Sequence, residues 1–127
     1  MTGEQKRRKL MKLIEKYKLV KDNYYDGSKK GRYGYDTRYG FVLPDDKKVM
    51  GHAIGIDTWA GDIVFARQCI FHYDNKNMIQ FDAWEEIESK DYEKRIKTLY
   101  QQYNDLKLIL KKKEIQTKLD AIKEDFA

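Results

Sequence analysis

"DIVFARQCIFHYDNKNMIQF", residues 62–81, is an apolar run rich in β-branched and aromatic residues, a polar Asp/Asn/Lys turn, and a second apolar run. Two such runs around a short turn are the signature of a β-hairpin, so the chain is built on a sheet. Upstream, "DTWAG" (57–61) reads as a turn and "KVMGHAIGI" (48–56) as a glycine-interrupted strand. Before these come "PDDK" (44–47), a turn holding the one proline, and "YGFVL" (39–43), another strand. Four sequential strands with short connections over residues 39–82 predict an antiparallel meander.

Downstream the pattern changes period. After Gly61 the chain contains neither Gly nor Pro, and residues 83–127 are expected to be helical. "DAWEEI" places Asp82 and Glu85 at capping-box spacing, and Ser89 offers a second start. From there Tyr92, Ile96, Leu99, Tyr103, Leu106 and Leu110 are spaced 4, 3, 4, 3, 4, a coiled-coil-like seam. Ile115, Leu119, Ile122 and Phe126 resume the spacing, but the five-residue step from Leu110 shifts the stripe around the helix at "KKKE". If continuous, residues 89–126 span roughly 57 Å. A compact chain of this size is only about 36 Å across, so the helix should overhang. A bare apolar stripe needs a cover, and Leu110, Ile115, Leu119, Ile122 and Phe126 are the expected oligomerisation residues.

At the other end, "TGEQKRRKLMKLIEKYKLVK" reads as a basic amphipathic helix over residues 1–21. Leu10, Leu13, Ile14 and Tyr17 form its apolar stripe, and Thr2 with Gln5 provides a capping box. Residues 22–38 lose periodicity and gain Gly, Asp, Tyr and Lys/Arg, as expected of a basic-aromatic loop. The expected architecture is one α+β domain over residues 1–127: N-terminal helix, basic-aromatic loop, four-stranded antiparallel β-meander at 39–82, and long C-terminal helix.

Charge divides along this architecture. Residues 1–40 hold 12 Lys/Arg and 5 Asp/Glu, residues 41–91 hold 5 and 10, and residues 92–127 hold 9 and 6. A basic front beside an acidic middle steers anionic partners toward one end of the molecule. Lys6, Arg7, Arg8 and Lys12 on the helix, with Lys29, Lys30, Arg32 and Arg38 in the loop, are the candidate phosphate contacts. Tyr33 and Tyr35 could stack on exposed bases.

The remaining chemistry-bearing residues point to ordinary roles. Cys69 is the single cysteine, so neither an internal disulfide nor a cysteine metal cluster can form. His52 and His72 stand alone, without HxH, HxxxH or HExxH spacing. Pro44-Asp45 followed by Asp74-Asn75-Lys76 is superficially similar to the PD-(D/E)xK nucleases, and that similarity implies acidic ligands for a divalent metal and a lysine that orients water. In that family the second motif lies on a strand, whereas "YDNKN" reads as a turn, where Asp is common.

No catalytic residue, metal or cofactor is expected. No window reaches the roughly eighteen apolar residues of a membrane span, and a cytoplasmic location follows as an expectation. The function expected is a small non-enzymatic binding protein whose basic N-terminal third contacts nucleic acid or a ribonucleoprotein, or else an acidic protein surface. The alternative is a structural protein that forms a homo-oligomer through its long helix, and metal-dependent nuclease activity is the remote one. The composition resembles that of small proteins of phages and other mobile elements.

Overall fold

The computed structural model describes residues 2–21, 37–41, 48–57 and 61–126. In chain order the elements are helix α1 (Gly3–Lys16), strands β1 (Val20–Lys21), β2 (Thr37–Gly40), β3 (Val49–Met50), β4 (Ile54–Ile56), β5 (Ile63–Phe71) and β6 (Ile79–Glu85), a 3-10 turn (Ser89–Asp91), and helix α2 (Tyr92–Asp125).

The hairpin at 62–81 forms as expected. β5 and β6 pair antiparallel from Phe71↔Ile79 at the turn to Phe65↔Glu85 at the open end. The four-stranded antiparallel meander does not form: the sheet has six strands in the order β1-β2-β4-β5-β6-β3, and β3 pairs with β6 in parallel. The reason is local to Gly51. "KVMGHAIGI" is one strand by pattern, but Gly51 takes φ +79°, a conformation open to glycine, and splits the segment in two. Its first half bonds to β6 and its second half to β2 and β5, which curls the sheet back on itself. A Cβ at Gly51 would lie 3.0 Å from the Phe81 carbonyl oxygen and 3.2 Å from Trp84 Cζ2. Trp84 Nε1 donates to the His52 carbonyl at 2.9 Å and holds the turn down.

The sixth strand comes from the tail of the expected first helix. α1 starts as its sequence dictates, with Gln5 N–H donating to Thr2 Oγ1 and Thr2 N–H donating to Gln5 Oε1. It ends at Lys16, not at residue 21. Lys18 adopts φ +53°, Leu19 N–H reaches the Ile14 carbonyl, and Lys18 N–H reaches that of Glu15. This is a Schellman stop in which lysine occupies the position usually given to glycine. Val20 and Lys21 then pair with Gly40 and Tyr39, so β2 begins at Thr37, inside the segment expected to be loop.

Strand β6 runs to Glu85, and the helix expected from Asp82 is instead the end of the sheet. Ala83 has φ +59°, and Arg67↔Ala83 is missing from an otherwise continuous ladder. Tertiary contacts override the capping spacing here: Glu85 accepts from Arg95 Nη2 at 2.7 Å and from Arg67 Nη2 at 3.2 Å.

α2 is continuous through "KKKE". Tyr92, Ile96, Leu99, Tyr103 and Leu110 are buried, and Tyr92 lies 5.0 Å from Phe65 between ring centroids. Polar groups of the helix also bind β5: Arg95 Nη1 donates to the Ala66 carbonyl, and Cys69 N–H donates to Gln102 Oε1. Leu10, Leu13 and Ile14 of α1 enter the same core, and Lys16 reaches Glu93 on α2 at 3.3 Å.

Candidate functional site

Helix α1 carries four of the expected nucleic-acid contacts. At 100° per residue the buried Leu10, Leu13 and Ile14 set the inward direction. Arg8 and Lys12 then face outward, whereas Lys6 lies in the direction of the buried stripe on the exposed first turns and Arg7 at its half-buried edge. Arg8 is engaged by Glu4 at 2.6 Å, an exposed pair one turn apart. Lys9 lies about 60° from Lys12 on the flank of that face and is half-buried, whereas Lys16 is taken up by Glu93 of α2 at 3.3 Å.

Arg38 does not join it. Its neighbour Tyr39 is buried and approaches Met11 of α1 at 4.0 Å, and the pleat sends alternate side chains to opposite faces. Arg38 therefore lies across the sheet from α1. Lys29, Lys30, Arg32, Tyr33 and Tyr35 lie outside the described residues, as do Asp45 and Trp59.

The histidines and the cysteine have structural partners. His72 Nδ1 accepts the backbone N–H groups of Asp74 and Asn75, which closes the β5–β6 turn. His52 lends its carbonyl to Trp84. Burial pushes the Cys69 thiol up to about 12, far from the thiolate a nucleophile needs. Among the described residues no cluster of three His, Cys, Asp or Glu side chains could hold a metal ion. No described helix is long and apolar enough to cross a membrane.

A cleft of about 520 Å³ lies between the β3–β6 edge and α2, with Val49, Ile79 and Leu110 among its lining residues and Lys107 and Lys111 beside them. The Lys48–Glu114 ion pair at the same cleft neutralises part of its charge and holds the Glu114 carboxyl below its usual range.

The expected oligomerisation residues separate into two groups. Leu110 is buried in the chain's own core and is removed from the set. Ile115, Leu119, Ile122 and Phe126 are 51, 47, 52 and 86% exposed. Every side chain from Lys111 to Phe126 is exposed, so this part of α2 projects from the body. Leu108, 52% exposed, belongs with the distal group, seven residues before Ile115. At 100° per residue the stripe Leu108–Ile115–Leu119–Ile122–Phe126 is centred about 150° around the helix from the core stripe. Lys113 donates to Asn77 at 3.0 Å and Glu114 pairs with Lys48, both on the inward side. The protein's own body thus grips one side of α2 while Ile115, Leu119, Ile122 and Phe126 face away from it, and Leu108 also borders the cleft between α2 and the β3–β6 edge. Among the described residues, nothing on α1 or the sheet covers the four distal side chains.

Comparison with protein-family models, with curated proteins and with solved structures returned no match.

Proposed function

We propose that this chain is a non-enzymatic assembly protein, a curled α+β body that joins to other copies through the projecting end of α2. The observation that carries this is the distal stripe itself: five large apolar side chains at coiled-coil spacing on the side of α2 opposite its own core. Apolar surface gathered in this way on a rigid helix marks an interaction site. Sedimentation of the intact chain and of Leu119→Asp tests the proposal. The intact chain is expected to be oligomeric at micromolar concentration, and Leu119→Asp monomeric with its helix content unchanged. A monomeric intact chain would refute it.

A second reading draws on the basic side of α1. Lys9 and Lys12 lie on one side of α1 within a segment, residues 1–40, that holds 12 Lys/Arg against 5 Asp/Glu. Such a face suits phosphate contacts to nucleic acid or a ribonucleoprotein. Replacing both lysines by Ala should weaken binding and flatten its salt dependence by up to about 1.8 in slope for two lost phosphate contacts on duplex DNA. Arg38→Ala should leave the slope as it was. An unchanged slope in the double variant would remove α1 from the interface.

A further inference from the structure

We infer that the second copy lies antiparallel along the distal half of α2, with Leu108 against the partner's Phe126, Lys112 against the partner's Ile122, and Ile115 against the partner's Leu119. This orientation rests on the self-assembly proposed above and specifies its geometry.

The seam is a regular heptad once Leu108 and Lys112 are included: 108, 112, 115, 119, 122 and 126 are spaced 4, 3, 4, 3, 4. Reversing a second copy about the 115/119 layer superposes every position on another seam position. All six layers are therefore filled by one two-fold axis, a closed isologous pairing. The overlap of residues 108–126 is about 28 Å long. Half-exposed Leu and Ile and the nearly bare Phe126 contribute on the order of 500 Å² of apolar surface per chain, or about 1,000 Å² for the pair. Burying all of it would only just meet the roughly 1,000 Å² that a specific interface should clear.

Charge selects the direction. "KKK" at 111–113 opens the stripe and "ED" at 124–125 closes it. Side by side in parallel, Lys112 would face the partner's Lys112, and Lys118 would lie near the partner's Lys123, five residues further along the facing heptad edge, while Lys113 stays on the inward side with Asn77. Reversed, Lys111 flanks the partner's Asp125, and Lys112 comes within reach of the same acidic end. The one like-charge contact is Lys118 with the partner's Lys118 at the solvent-exposed rim. Opposite charges at flanking heptad positions set partner orientation in helix pairs, and a lysine within the seam fixes register.

Two cysteine variants read the orientation, with buried Cys69 of the intact chain as the blank. Lys112→Cys and Ile122→Cys chains, mixed and mildly oxidised, are expected to form a disulfide between the two species. Lys112→Cys alone is expected to form none, because its two copies are about 15 Å apart along the axis. Rapid dimer-linking of Lys112→Cys alone would establish a parallel pair and overturn the orientation while leaving self-assembly intact. A chain that sediments as a monomer would overturn both. Should the cysteines disturb the seam, a charge exchange decides independently. Lys111→Glu should loosen the pair roughly tenfold, and adding Asp125→Lys to the same chain should restore it. Loosening without restoration would contradict the antiparallel contact.

Discussion

Gly51 fixes the path of the sheet through what its missing side chain permits. It turns the chain at φ +79° under the Trp84 ring, and a methyl group there would press on the Phe81 carbonyl. Gly51→Ala should therefore cost at least about 2 kcal/mol, combining left-handed strain with a backbone clash. Gly3→Ala is its control, since a Cβ at Gly3 meets nothing within 4 Å and alanine favours a helix. Chemical denaturation of both variants checks the contrast, and equal midpoints would show that the turn does not depend on glycine. Lys18 and Ala83 show why other turning points escaped the sequence. Both take positive φ without being Gly or Asn, so the residue type announces no turn at either place. Thr2 and Gln5, by contrast, announce their helix start in side-chain chemistry that operates over three residues and needs no tertiary partner.

The elements most legible in sequence are those with long, uninterrupted periodicity. β5 buries five of its nine residues, and α2 keeps its 4, 3, 4 spacing from Tyr92 to Leu110 before the five-residue step to Ile115. What escaped the sequence was pairing with distant chain: β3 falls within the segment read as strand but bonds to β6 in parallel, and β1 lies in the segment read as helix and exists only through β2. "DAWE" has a helix-start spacing yet remains strand, because Arg67 and Arg95 hold Glu85 at the end of the hairpin. That contact makes the join of α2 to the sheet sensitive to acid. The Arg95 hydrogen bond is the largest influence holding the Glu85 carboxyl below its ordinary 4.5, and Lys16 acts likewise on Glu93. Both carboxylates are more acidic folded than unfolded, so the unfolded chain takes up protons first as pH falls. The stability they contribute is present above about 4.5 and is lost as pH drops through their lower folded values. Thermal midpoints measured from pH 6 down to pH 2.5 should fall, and the fall should be shallower in Glu85→Gln. A variant that tracks the intact chain throughout would show that Glu85 adds no pH-dependent stability.

At the scale of the whole molecule, one helix carries two apolar stripes on opposite sides. Its proximal stripe closes the core over β5, and its distal stripe, rotated about 150°, is left exposed by the described residues. The five-residue step from Leu110 to Ile115 encodes that rotation and was legible in the sequence. Leu108 and Lys112 were not, because Leu108 overlaps the core seam in sequence and Lys112 interrupts the apolar pattern. The division of charge was legible too, but its placement depended on the fold, which puts Lys12 on the outer face of α1 and Arg38 across the sheet. Self-association through the distal stripe is the central claim, and mass in solution tests it most directly. Sedimentation equilibrium should return twice the 15.2 kDa of one chain for the intact protein and a single chain mass for Leu119→Asp. An intact chain that remains monomeric across the micromolar range, or a Leu119→Asp variant that still pairs, would contradict the account.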